Sequence, residues 1–163
     1  MKKLTLCAIA VSGLFAAQAN AGDVQLAGYV PAVCEVTGLN TQLLDFGSVA
    51  TANQTVTYGL NIQCNDGDGA TITMTSAEGG LESDDVEDYA IAYDAVLSPA
   101  GLTDLTLNAP GGIGTNGTSN SASYGGSGLL ATGISATLDI ETQGAAPWSG
   151  GYSDTLTVQI SAN

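Results

Sequence analysis

Three cysteines and sixteen carboxylates are the side chains here whose types and spacing suggest chemistry. There is no histidine, and the only basic residues are Lys2 and Lys3. A histidine base, a lysine Schiff base or an arginine clamp is therefore not available to the rest of the chain. Cys34 and Cys64 lack the positive neighbour that a reactive thiolate needs, so a structural disulfide is expected rather than a redox role. Asp66-Gly67-Asp68-Gly69 and the acidic run from Glu82 to Asp88 offer clustered oxygen ligands of the kind Ca²⁺ takes. The EF-hand spacing is not met, because the twelfth position from Asp66 is Ala77, and solvated turns are the preferred reading. Asp84 and Asp85 could in principle serve a glycosidase. Adjacent strand residues point to opposite faces, however, and loop acids are usually just solvated. Trp148 and Tyr152 could stack on a sugar, but packing at the end of a sandwich is preferred. The expectation is no enzymatic activity, no cofactor and no metal.

The first 21 residues read as a secretory signal peptide. Lys2 and Lys3 form the charged start, Leu4 to Ala17 is mostly apolar, and Ala19-Asn20-Ala21 is a cleavage site. The apolar stretch is too short to span a membrane. Cleavage removes Cys7 and leaves Cys34 and Cys64 as the only possible pair. It also removes both lysines, so the formal charge goes from −14 to −14 − 2 = −16. Nucleic acids need Lys or Arg to displace their counterions, and binding to them is excluded on that ground. Attraction to anionic lipid fails likewise, and Lys–Asn isopeptide cross-links cannot form. Two cysteines in a secreted chain imply an oxidising destination, a bacterial periplasm or cell exterior. A disulfide closing a loop of about 30 residues stabilises a fold by roughly 3–4 kcal/mol.

The elements that must position these residues are strands. Val24, Leu26, Gly28 and Val30 alternate ahead of Pro31, which marks a strand end or edge. Cys34 and Val36 continue a short strand, Thr37 to Gln42 is a turn, and Asp45-Phe46-Gly47 is a corner. Val56, Tyr58, Leu60, Ile62 and Cys64 give the clearest period of two, a half-buried strand over Thr55–Cys64. Thr71–Thr75 is a short strand, and Glu78–Asp88 is a loop. Tyr89, Ile91, Tyr93, Ala95 and Leu97 face one way on a single strand. Leu102–Leu107 is a short edge strand, and Pro110–Gly128, almost without large apolar residues, is a long loop. Leu130–Glu141 is a strand, and Tyr152–Ser161 closes the chain with Leu156, Val158 and Ile160 on one face. No helical period appears after the leader. Six to eight short strands with Gly-rich turns mean an all-β sandwich.

The order of these features carries a resemblance. An alternating segment precedes Cys34, a Leu-x-Phe-Gly corner spans Leu44 to Gly47, and a strand ends on Cys64. The chain closes on Gly-x-Tyr-Ser-Asp-Thr-Leu-Thr-Val, Gly150 to Val158. The sequence resembles the spore coat protein U family, the group of the archaic chaperone–usher pilins, and more distantly type 1 fimbrial subunits. The resemblance implies an incomplete immunoglobulin-like β-sandwich, completed by a donor strand and stapled by the one disulfide. It implies a domain layout of signal peptide 1–21, donor-strand extension 22–30 and pilin domain 31–163. Val24, Leu26, Gly28 and Val30 correspond to the donor strand, and Leu156, Val158 and Ile160 line the groove on the last strand. The implied partners are copies of the chain or sibling pilins in a head-to-tail polymer, a periplasmic chaperone that grips the carboxylate of Asn163, and an outer-membrane usher. The implied place is a pilus on the bacterial surface, serving adhesion and biofilm formation, with no membrane insertion after leader cleavage. The alternative is a self-contained secreted sandwich that binds glycan or Ca²⁺.

Overall fold

The computed structural model describes residues 25–39, 43–86 and 89–163. The expected leader at 1–21, Val24, the end of the expected turn at 40–42, and the loop acids Glu87 and Asp88 lie outside the described residues. The chain divides into two units, Met1–Val30 and Pro31–Asn163. In the first, residues 25–30 take no regular structure and are all exposed, Leu26 at 92% and Val30 at 77%.

The second unit is built from antiparallel strands. In chain order they are β1 (Cys34–Thr37), β2 (Thr55–Cys64), β3 (Ala70–Ser76), β4 (Leu81–Ser83), β5 (Tyr89–Ile91), β6 (Tyr93–Pro99), β7 (Leu105–Ala109), β8 (Gly112–Ile113) and β9 (Thr118–Tyr124), then a single helical turn, α1 (Gly128–Thr132), and β10 (Ile134–Thr142), β11 (Tyr152–Ser153) and β12 (Leu156–Ala162). They form a five-stranded sheet ordered β1-β2-β10-β6-β7, a three-stranded sheet β12-β3-β9, and a small sheet β11-β4-β5-β8.

Alternation decides which faces are buried. Ile134, Ala136, Leu138 and Ile140 of β10 are buried while the residues between them are exposed. Leu60, Ile62 and Cys64 of β2, Ile72 and Met74 of β3, and Leu105 and Leu107 of β7 join them in one hydrophobic core. Each Leu, Ile or Met side chain among them contributes roughly 1.5–3 kcal/mol by leaving water. The disulfide Cys34–Cys64 is formed, and its two residues stand directly opposite each other in the β1–β2 register.

Four expectations need correction. The stretch Pro110–Gly128 is not one long loop. It contains β8 and β9, and β9 pairs with β3 along all seven residues from Thr118 to Tyr124. Ladder hydrogen bonds hold a strand of Ser, Thr, Asn and Ala that has almost no apolar alternation to announce it. Tyr89–Leu97 is not one strand either. Ala92 separates β5 from β6, which belong to different sheets. Finally, Leu130 lies in α1 rather than in the following strand. Ser127 caps that turn, its Oγ accepting from Leu130 N at 3.2 Å. Gly133 at φ +92° then turns the chain into β10. The expected loop at 78–88 also holds β4.

Candidate functional site

Among the described residues no ladder joins the edge strands of the two larger sheets on either side, and their Cα atoms come within 8 Å of each other on both. What differs is a side-chain bridge on one side and a cleft on the other. On one side β7 and β9 are the edge strands, and the Asn120 side chain of β9 donates to the Thr106 carbonyl of β7 at 2.7 Å. On the other side the edges are β1 and β12. No ladder joins them, although their Cα atoms approach within 8 Å.

β12 pairs with β3 through its whole length, from Leu156↔Ser76 to Ala162↔Ala70. Among the described residues no strand is hydrogen-bonded to its other edge, although β1 comes near it. Along that free edge lies an open cleft of about 360 Å³. Val36 of β1 lines one wall, and Val158, Gln159, Ile160 and Ser161 of β12, with Thr71 and Thr73 of β3 behind them, line the other. The apolar side chains here are core residues with one flank uncovered. Val36, Leu156, Val158 and Ile160 all pack against the core yet remain only half-buried. By contrast, Ile72 and Met74, their neighbours on β3, are fully buried. An edge of unpaired backbone groups beside half-buried apolar residues is the arrangement that accepts an added strand.

Both walls are fixed at their ends. β1 is tied to β2 by four register pairs and the disulfide. Beyond Cys34 the pairing runs on through Asn65, whose N–H donates to the Val33 carbonyl at 2.9 Å. The start of β12 is held by Asp154. Its carboxylate accepts from the buried hydroxyls of Ser76 and of Tyr93 (2.7 Å for Tyr93), and from the N–H groups of Ala77, Glu78 and Thr155 at 3.1, 3.0 and 2.6 Å. Burial, reinforced by the Asp154 carboxylate, pushes the Tyr93 phenol well above its ordinary range. At the far end Asn163 N donates to the Gly69 carbonyl at 3.2 Å, and Thr71 Oγ1 donates to Asn163 Oδ1 at 2.7 Å.

Of the groove residues expected from sequence, the structure places Val158 and Ile160 on the cleft wall. Leu156 shares their face but does not line the cleft. Val36, Thr71 and Thr73 were not singled out for the groove. The alternation of Val36 with Cys34 was the available signal for the first, and the threonines carried none. Of the expected donor positions, Leu26, Gly28 and Val30 are exposed and outside any strand.

The acidic stretches have local structural work. Asp66 Oδ1 accepts from Asp68 N at 2.8 Å, closing the β2–β3 turn. Gly69, at φ +104°, passes so near the Tyr124 carbonyl that a Cβ there would lie 2.0 Å from its oxygen. Ser83 Oγ accepts from Asp85 N and Val86 N at 3.3 and 3.1 Å. Glu78, Glu82 and Asp84 line a smaller cleft of about 180 Å³ with Asp154. Among the described residues no group of three or more Asp, Glu or Cys side chains is arranged to hold a metal ion. Tyr152 packs against the core and donates to the Trp148 carbonyl at 3.1 Å, while the Trp148 side chain stays 55% exposed.

No protein-family model matches the sequence, and no curated protein matches it either.

Proposed function

We propose that this chain is a structural subunit of an extracellular pilus or fimbria, assembled by donor-strand exchange through a chaperone and an usher and supporting surface adhesion and biofilm formation. In this reading residues 31–163 form an immunoglobulin-like sandwich that lacks its last strand. The N-terminal extension of the next subunit, with Val24, Leu26, Gly28 and Val30, supplies it. The leader at 1–21 sends the chain through the periplasm to the cell surface.

The observation that carries the proposal is the asymmetry of the two sides. β7 and β9 are bridged by Asn120, whereas β1 and β12 leave a cleft with half-buried Val36, Val158 and Ile160. A self-complete sandwich has no reason to leave core residues of a long edge strand uncovered, because such an edge invites aggregation. A strand laid along β12 would satisfy its free backbone groups and cover those side chains together. The alternating, exposed segment before Pro31 has the pattern to do so.

The test compares the chain from Gly22 to Asn163 with a version beginning at Pro31. The proposal expects detergent-resistant, heat-labile multimers from the first and a poorly stable monomer from the second, rescued by a peptide of residues 22–30. Equally stable monomers that ignore the peptide would leave a self-contained binding module as the better reading.

A further inference from the structure

A strand donor joined to its own acceptor has a competitor: itself. A segment tethered by a few residues reaches millimolar effective concentration at a nearby site, above the concentration of any free subunit. Residues 22–30 stretch to about 30 Å when extended, and Val36, on the cleft wall, follows Cys34 by two residues. A reverse turn through residues 31–33 would lay the extension along the outer edge of β1 in the same molecule. Something must disfavour that turn if the polymer is to form.

Asn65 holds the three residues that would have to make it. Its side-chain Oδ1 accepts from Val33 N at 2.8 Å, its Nδ2 donates to the Pro31 carbonyl at 2.7 Å, and its backbone N–H donates to the Val33 carbonyl at 2.9 Å. Pro31 has no N–H to offer. The polar backbone groups at either end of the 31–33 segment are thus engaged with the residue following Cys64, in line with the β1–β2 ladder. Turning back would break all three hydrogen bonds. We propose that Asn65 is a positioning residue that holds residues 31–33 against β2, so that a subunit's own extension is kept from its own groove and the groove is left for another copy. This rests on the donor-strand reading above.

The test uses the chain from Gly22 to Asn163, diluted to monomer and offered a labelled peptide of residues 22–30. Asn65→Ala removes both side-chain hydrogen bonds. Two bonds of ordinary net strength shift a partition by roughly tenfold or more. The expected result is about a tenfold loss of multimers and a matching loss of peptide uptake, since the groove is now filled from within. Asn65→Asp, which keeps the acceptor for Val33 N, should fall between. A damaged groove would also refuse peptide, so Leu26→Asp is added to the Asn65→Ala chain to spoil its own extension. Restored uptake supports positioning. Uptake that stays absent shows that Asn65 builds the groove itself, and overturns the proposal, as does an Asn65→Ala chain that multimerises like the unmodified one. If the unmodified chain takes up no peptide and Leu26→Asp alone leaves multimers unchanged, the donor-strand reading fails first, whatever Asn65 does.

Discussion

Asp154 gathers more hydrogen bonds than any other side chain described, and it does so where three strands meet. Ser76 ends β3, Tyr93 begins β6, and Asp154 itself separates β11 from β12. Ser76 and Tyr93 are both buried, so their hydroxyls have no water to turn to. Asp154→Ala would strand both. It would also take the side-chain acceptor from the exposed N–H groups of Glu78 and Thr155, while Ala77 N keeps the Thr155 carbonyl. The substitution should cost about 3 kcal/mol in urea unfolding. Tyr93→Phe removes one donor and leaves the carboxylate four others, so about 1 kcal/mol is expected. The raised Tyr93 pKa fixes a pH dependence. The folded state favours the neutral phenol, so its contribution is fully present below the unfolded tyrosine value of about 10 and is lost as pH rises above it towards the folded value. Unfolding free energy measured from pH 8 to 11 should fall at the alkaline end, and Tyr93→Phe should flatten that fall.

Among the elements, apolar alternation made strands legible, though across Tyr89–Leu97 it ran through a break between two sheets. Thr55–Cys64 could be bounded from sequence because Val56, Tyr58, Leu60, Ile62 and Cys64 alternate without interruption and are each half-buried or buried. β9 is not visible in the sequence because its residues before Tyr124 are small and mostly polar, and pairing with β3 more than side-chain burial makes it a strand. Leu130 and Ile134 are four apart, a spacing that suits either period, so the turn of α1 was read as strand. The groove shows the same limit. Alternation tells which side chains of β12 point inward, but it cannot tell that the strand is hydrogen-bonded on one edge only. The disulfide, in contrast, followed from counting cysteines. It joins β1, one wall of the cleft, to β2, and its ring spans a sequence separation of 30 residues. Replacing both cysteines by alanine should lower stability by roughly 3–4 kcal/mol and weaken peptide uptake, because Val36 then depends on four backbone pairs alone. Calorimetry and peptide titration on the same variant check both. Val158→Asp should abolish uptake by placing a charge on the apolar wall, whereas Thr157→Asp, on the exposed alternate position of β12, should leave it nearly unchanged.

Over the whole molecule, the sixteen acidic residues all follow Lys3, and no basic residue does. Two such surfaces repel when they meet, so the proposed head-to-tail assembly would have to overcome a barrier that lies outside the groove. The range of that repulsion is set by salt, about 30 Å at 0.01 M and about 8 Å at 0.15 M. The strand proposed to enter the groove is almost free of it. Between Gly22 and Val30 the only charged side chain is Asp23. The two kinds of association should therefore separate cleanly by ionic strength. Peptide uptake by the chain beginning at Pro31 pairs its acidic side chains, all of the sixteen but Asp23, with the single acidic side chain of the peptide, and its rate should change little from 10 to 150 mM NaCl. Multimer formation by the chain beginning at Gly22 pairs sixteen carboxylates with sixteen, and its rate should rise steeply over the same range. Stopped-flow measurement of both reactions across that series checks the argument. A peptide reaction as salt-dependent as multimer formation would mean that the groove itself carries the charge barrier, contrary to its lining of Val36, Val158 and Ile160.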